Sequence, residues 1–178
     1  MLNLTEVFRA HLQTTRTYVP LAEELDIVRA YLEIEALLLG DRLTTEIVVD
    51  DHLTSVIIPA LIIRPLVENA IRHGMSADGT GFVQLTIADV AGCLHVAVLD
   101  KGAGFSDHSS EHTGVGLDNV RKRLKLCYRA DTDLEIDSSR SGAVVSFLVS
   151  NTRARRSDAP VVECEASIKI EAGWYLGI

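Results

Sequence analysis

Apolar residues recur every three or four positions over residues 21–39, and this spacing predicts a helix with one buried face. Pro20 falls in the predicted first turn, where a helix tolerates proline, and Gly40 supplies a stop. A weaker stripe with the same interval predicts another helix over residues 2–16. The first part of the chain is therefore expected to be helical.

The pattern then changes twice. Residues 43–49 are rich in β-branched side chains and predict a strand, which is followed by a polar break. Residues 59–73 are mainly apolar and predict a buried helix that ends at Gly74. Pro65 lies inside this stretch and is expected to distort the early turns of that helix.

The second half of the chain predicts four strands and one helix. Ala91-Gly92 has the composition of a hairpin turn between the first two strands. Residues 101–114 lack any periodicity and predict a loop. In chain order, the regular elements are strands at 82–88 and 94–100, a helix over 117–127, and strands at 134–137 and 144–149.

Helices and strands are mixed along the chain rather than strictly alternating. This order predicts an α/β fold, a two-layer sandwich of one mixed sheet with helices on one face. We expect an N-terminal helical segment over residues 1–40 and a domain over residues 41–150. Residues 151–178 contain an apolar patch without an assigned partner, and an edge strand, an interaction tail and non-native sequence all stay open for them.

Composition narrows the function. The chain has 178 residues, 47% of them hydrophobic, which is enough for a core and excludes a disordered chain. Its net charge is −8, which argues against a general binder of nucleic acid or anionic membranes. We find no secretory signal and no apolar run long enough to span a bilayer. The 3 cysteines form no C-x-x-C pair, so reduced thiols and a cytoplasmic location are expected.

The first candidate for chemistry is the pair Glu68-Asn69, which interrupts an apolar stretch of the predicted helix over 59–73. Placing two polar side chains there is costly unless they find partners. The alternative is a polar pair satisfied at the helix surface.

The second candidate is the end of the strand over 94–100. Asp100 closes this strand and is followed by Gly102 and Gly104, which would let the backbone approach a flat ligand. A carboxylate at this position can accept a hydrogen bond from an exocyclic amine such as that of adenine. The alternative is an ordinary turn, because Asp-x-Gly is a common turn sequence.

The third candidate is the sequence Gly114-Val115-Gly116-Leu117, which opens a helix. Free backbone N–H groups and the helix dipole favour a phosphate at such a helix start. The same helix carries a basic run that includes Arg123, which is either a solvated face or a cluster near the phosphates. Ser141-Gly142-Ala143 by itself predicts only a turn.

In this order, these patterns resemble the ATP-binding domain of the GHKL superfamily, the ATPases of gyrase, Hsp90 and histidine kinases. The resemblance covers roughly residues 4–149 and implies the Bergerat ATPase fold. It narrows to the LytS-type sensor histidine kinases on three stretches, which read VPLAEELDIVRAYLEIEALLLGDRL, IIPALIIRPLVENAIRHG and GVGLDNVRKRL.

The resemblance implies roles for individual residues. Asn69 would coordinate Mg²⁺ that bridges the phosphates of ATP, and Glu68 would polarise the nucleophile or a metal-bound water. Arg72 and His73 would lie near phosphate oxygens, and Asp100 would read the adenine amine. The other residues implied in nucleotide binding are Gly102, Gly104, Gly114, Val115, Gly116, Leu117 and Arg123.

The chain also departs from the family pattern. Lys101 replaces the usual asparagine and would put a cation beside Asp100, Arg64 replaces a glutamine, and Ala143 replaces a threonine. Residues 101–114 would form a mobile lid over the nucleotide. A metal site formed by His108 and His112 is disfavoured, because no third ligand is spaced to join them.

A phosphoacceptor histidine motif is absent from the chain, and His11 does not match it. The resemblance therefore implies an ATP-dependent protein histidine kinase domain that acts on a histidine elsewhere, with a phosphoacceptor domain and a response regulator as partners. It also implies a parent protein that dimerises through its acceptor helices and is anchored by an upstream sensor region. The alternative is a non-catalytic nucleotide-binding module that acts through its N-terminal helices.

Overall fold

The computed structural model describes residues 16–102, 115–128, 132–139 and 142–150. Within these ranges the chain forms three α-helices and seven β-strands. The helices are α1 (Leu21–Leu39), α2 (Arg64–His73) and α3 (Val115–Cys127). The strands are β1 (Tyr18–Pro20), β2 (Leu43–Val49), β3 (Ile57–Pro59), β4 (Gly81–Val90), β5 (Cys93–Asp100), β6 (Glu135–Ser139) and β7 (Gly142–Ser150).

Five strands form one mixed sheet in the order β2-β4-β5-β7-β6. Strand β2 is parallel to β4, and the other neighbours are antiparallel. A separate two-stranded ribbon pairs Tyr18–Pro20 with Ile57–Pro59. The mixed sheet with helices on one face is the fold class that the sequence predicted.

The core lies between this sheet and the three helices. Alternate residues of β4, including Leu85 and Ile87, belong to the same buried core as the apolar stripe of α1, which includes Leu25 and Val28. Fully burying one such aliphatic side chain stabilises the fold by about 1.5–3 kcal/mol. The prediction of helix 21–39 is confirmed at both ends.

The predicted hairpin between β4 and β5 is also confirmed. Ala91 and Gly92 both have positive φ angles, 54° and 82°, as a two-residue turn between twisted strands requires. The carboxylate of Asp89 accepts the Gly92 N–H at 2.9 Å and holds the turn.

The prediction of a helix over residues 59–73 is wrong in its first part. Pro59 ends strand β3, the chain then turns through Leu61 at a φ of 57°, and helix α2 begins only at Arg64. Pro65 therefore lies in the first turn of α2. Backbone N–H groups in the first turn have no acceptor within the helix, so a proline there removes no hydrogen bond and does not distort the helix. Pro20 likewise precedes α1 instead of lying in its first turn.

Three further expectations concern the two ends of the chain, the cysteines and membrane-spanning helices. Most of the predicted helix over 2–16 and the whole segment 151–178 lie outside the described residues. Cys93 is disulfide-bonded, so the expectation of three reduced thiols is wrong at this position, whereas Cys127 carries a free thiol. Among the described residues, no helix is both long and apolar enough to cross a membrane.

Candidate functional site

Asp100 is the last residue of β5 and is almost fully buried, with 6% of its surface exposed. Its carboxylate accepts the backbone N–H of Gly102 at 3.0 Å and also the N–H of Ala143 on the neighbouring strand. Burial raises the pKa of the Asp100 carboxyl, and the two N–H donors and the nearby His73 oppose that rise. A buried carboxylate is thus fixed by the main chain at the end of a central strand.

Three glycines surround Asp100 because no side chain fits there. A β-carbon on Gly74 would stand 2.5 Å from the β-carbon of Asp100, and one on Gly142 would stand 2.0 Å from its carbonyl oxygen. A β-carbon on Gly102 would stand 2.4 Å from the α-carbon of Gly74. The backbone is therefore packed tightly on this side of the carboxylate.

Helix α2 carries Glu68 and Asn69 on its partly exposed side, opposite a buried apolar stripe. Glu68 forms an ion pair with Arg72 at 3.2 Å, one turn further along the helix. These two side chains are 40% and 69% exposed, so the pair is solvated and contributes little to stability. Asn69 is half-buried next to this pair.

The end of α2 connects these polar residues to Asp100. The helix ends at His73, whose side chain is exposed, and the next residue, Gly74, is the one that contacts Asp100. The structure thus brings together Glu68, Asn69, Arg72, His73, Asp100 and Gly102, which the sequence placed in one site, on two adjoining elements.

Lys101, which directly follows Asp100, makes a contact with an aromatic ring. Its ammonium group lies 4.4 Å from the centroid of the Phe82 ring on the adjacent strand. Its backbone N–H donates to the Phe82 carbonyl at 3.2 Å. The Lys101 ammonium group therefore has a cation–π partner on the neighbouring strand.

The start of α3 lies close to the start of α2. A β-carbon on Gly116 would be 3.9 Å from the Cβ of Pro65. Val115 is exposed, whereas Leu117 is buried in the core, so Leu117 can reach a ligand only through its backbone N–H. Gly104 and Gly114, together with His108 and His112, lie outside the described residues.

The basic run of α3 is largely engaged within the protein. The Asp133 carboxylate forms ion pairs with the Arg121 guanidinium at 2.7 Å and with the Lys125 ammonium group at 3.0 Å. The Arg123 guanidinium donates to the backbone carbonyl of Ala60, in the turn before α2. Arg123 therefore has a structural contact beside any that it makes with a nucleotide.

The described residues offer few side-chain ligands for a metal ion, so any ion bound here would be held mainly by oxygens of a bound nucleotide. Within the described residues, no group of three or more His, Cys, Asp or Glu could hold a metal ion. Mg²⁺ keeps several waters and commonly uses one or two protein oxygens together with substrate phosphates. Asn69 carries a side-chain oxygen of the kind that such a site uses, and it lies on the partly exposed side of α2.

A sequence profile of the family described as "Histidine kinase-, DNA gyrase B-, and HSP90-like ATPase" matches residues 56–153, more than half of the chain. The chain belongs to this ATPase family. A second profile, described as "Histidine kinase", matches residues 1–43 of this chain.

Named relatives agree with this membership. The "Sensor protein LytS" of Oceanobacillus iheyensis is 32% identical to this chain. The matched region covers 84% of this chain and 28% of that relative. The chain thus spans little more than a quarter of the length of the curated relatives it matches.

Two solved structures share the fold. The histidine kinase domain of the Erythrobacter litoralis EL346 blue-light activated histidine kinase has a TM-score of 0.61 at 17% identity, over 85% of this chain and 77% of that one. The catalytic domain of histidine kinase ThkA has a TM-score of 0.59 at 18% identity, over 76% of this chain and 96% of that one.

The packing roles of three buried residues were missed by the sequence prediction. Gly74 was predicted only as a helix stop and Gly142 only as part of a turn, because their steric roles depend on Asp100 from distant segments. Glu24 was not among the residues singled out from the sequence, yet it is fully buried. Its position on the apolar stripe of α1, between Leu21 and Val28, was the available signal.

Proposed function

We propose that this chain is the ATP-binding catalytic domain of a two-component sensor histidine kinase and transfers the γ-phosphoryl group of ATP to a histidine on another domain. The observation that carries the proposal is the contact between Gly74 and Asp100. It joins the helix that bears Asn69 to the strand that ends in a buried carboxylate. One end of the site can therefore recognise a base, and the other can hold phosphates.

At the base end, the Asp100 carboxylate accepts a hydrogen bond from the exocyclic amine of adenine. The backbone at Gly102 is held tightly against Gly74, which leaves the carboxylate fixed before the nucleotide arrives. A preorganised acceptor of this kind requires no rearrangement when the ligand binds.

At the phosphate end, Asn69 would supply an oxygen ligand for Mg²⁺, and the ion would supply positive charge that neutralises the phosphates of ATP. Glu68 polarises the attacking histidine. Arg72 and His73 attract phosphate oxygens from the end of α2. The backbone N–H groups at Gly114, Val115, Gly116 and Leu117, with Arg123, complete the contacts. Positioning and charge neutralisation account for most of the catalysis in phosphoryl transfer.

The partners follow from the same assignment. ThkA, which shares the fold, has been solved in complex with the response regulator protein TrrA. We propose a phosphoacceptor histidine domain and a response regulator as partners of this chain, in a cytoplasmic location and a parent protein that dimerises. The loop predicted over residues 101–114 would cover the nucleotide as a lid.

The deciding experiment incubates the chain with γ-labelled ATP and a phosphoacceptor domain from a LytS-type kinase, with and without Mg²⁺. We expect acid-labile label on the acceptor domain only when both the chain and Mg²⁺ are present. ATP binding without any transfer would instead support the non-catalytic module. Absence of ATP binding would overturn the assignment altogether.

A further inference from the structure

Glu24 is a fully buried carboxylate on the apolar stripe of α1. Its neighbours on that stripe, Leu21, Leu25 and Val28, are also fully or almost fully buried. Because a buried charge is costly unless it is paired and hydrogen-bonded, its partners define its role.

Those partners are three consecutive backbone N–H groups. Oε1 of Glu24 accepts the N–H of Leu61, and Oε2 accepts the N–H groups of Ile62 at 3.1 Å and Ile63 at 3.2 Å. Residues 61–63 form the turn that precedes α2, and Leu61 adopts a left-handed φ of 57° that an aliphatic side chain rarely takes. The carboxylate therefore fixes a turn that residues of this type do not favour by themselves.

Helix α3 holds the same turn from the other side. The Arg123 guanidinium donates to the carbonyl of Ala60, one residue before the three N–H groups. Burial raises the pKa of the Glu24 carboxyl, and the three N–H donors and the attraction of Arg123 oppose that rise. The turn over residues 60–63 is thus clamped between α1 and α3.

We propose that Glu24 is a positioning residue that sets the spacing between α2, which carries Asn69, and the start of α3. The proposal rests on the proposed function, in which these two elements form the phosphate end of the site. The turn leads directly into Arg64 and Pro65, and Pro65 lies near Gly116 of α3. Loss of the carboxylate releases the turn and changes the distance between the metal ligand and the phosphate-binding backbone.

The test compares Glu24→Gln with Glu23→Gln, which makes the same change at a neighbouring residue whose side chain is 48% exposed. Calorimetry measures the affinity of each variant for Mg-ATP and for ADP in EDTA, at a temperature where circular dichroism shows all of them folded. Glu24→Gln should weaken Mg-ATP binding by about tenfold, from the loss of one acceptor oxygen in a charged hydrogen-bond set. Its affinity for metal-free ADP, which depends on the Asp100 end, should stay within about twofold of wild type.

A general fold defect would weaken both ligands equally, and this result would overturn the inference, as would wild-type Mg-ATP affinity in Glu24→Gln. Glu24→Asp keeps the charge on a shorter side chain and should show the same split between ligands, which provides the test if Glu24→Gln does not fold. If the wild-type chain binds neither ligand, the proposed function fails and the inference fails with it. If the wild-type chain binds both ligands and Glu24→Gln binds both with wild-type affinity, the inference fails and the proposed function stands.

Discussion

Gly74 and Asp100 touch so closely that a β-carbon on Gly74 would stand 2.5 Å from the β-carbon of Asp100 and 2.3 Å from the Ala70 carbonyl oxygen. Real β-carbons do not approach other atoms to these distances. The end of helix α2 and the end of strand β5 are therefore locked together, and the two halves of the proposed nucleotide site cannot move independently at this point.

The first prediction is that Gly74→Ala destabilises the protein and weakens ATP binding together. Overpacking of a tight contact costs about 1–3 kcal/mol, and backbone neighbours such as the Ala70 carbonyl cannot rotate away. Urea denaturation would measure the loss of unfolding free energy, and calorimetry the loss of ATP affinity. Wild-type stability in this variant would show that the contact is looser than described.

The second prediction concerns Gly116, which, unlike Gly74, has room for a β-carbon. A β-carbon there would lie 3.9 Å from the nearest atom, the Cβ of Pro65, and Gly116 lies within helix α3. Gly116→Ala should therefore raise the unfolding free energy by up to about 0.5–1 kcal/mol, because alanine favours the helix. The same variant should lose ATP affinity, because its methyl group obstructs the approach of a phosphate. Unchanged affinity would remove Gly116 from the site.

The third prediction concerns the base end. Asp100→Asn should abolish measurable ATP binding, because a charged hydrogen bond worth about 1.5–3 kcal/mol is lost and an amide donor can face the adenine amine. Asp137→Asn, at an exposed position on β6, is the matched control and should bind ATP normally. Calorimetric affinity equal to that of wild type in Asp100→Asn would refute the adenine assignment.

The fourth prediction separates the metal from the base. Asn69→Ala should eliminate phosphoryl transfer and remove the Mg²⁺-dependent gain in ATP affinity. Binding of ADP in EDTA, measured on the same variant, serves as the internal control and should be retained. Continued transfer to an added acceptor domain would contradict a metal-ligand role for Asn69.

The sequence predicted the regular elements well where local pattern decides them. The stripe of α1 gave both helix ends, and Ala91-Gly92 gave the hairpin. The start of α2 could not be predicted, because the turn before it depends on Glu24, 37 residues away from Leu61. Local periodicity contains no information on a contact of that range.

In the candidate site, too, local features were predicted from the sequence and contacts between distant segments were not. Asp100 was predicted at its strand end because an aspartate followed by spaced glycines is a local signal. The tight packing of Gly74 and Gly142 against it was not predicted, because only the folded chain shows what a β-carbon would meet. Likewise, the charge of Lys101 is readable from the sequence, but its direction toward Phe82 is not.

The fifth prediction concerns pH. Burial lowers the pKa of His95 on β5. The folded protein therefore keeps this imidazole neutral at pH values where the imidazole of the unfolded chain, with a pKa of about 6.5, takes up a proton. Proton uptake by the unfolded state means that the unfolding free energy falls as the pH drops below this value. His95→Gln should reduce that slope. Urea denaturation at several pH values from about pH 7 downward measures it, and identical slopes for both proteins would contradict the assignment.

The ribbon of β1 and β3 gives the residues ahead of α1 a short route to the site. The Thr17 carbonyl accepts the Ala60 N–H at 3.0 Å, and Ala60 adjoins the turn that leads into α2. The segment ahead of α1 is therefore tied to the turn before the Asn69 helix by a main-chain hydrogen bond, in addition to the contacts that Glu24 of α1 makes with that turn. The β1–β3 ribbon therefore holds the entry to α1 and the approach to α2 side by side.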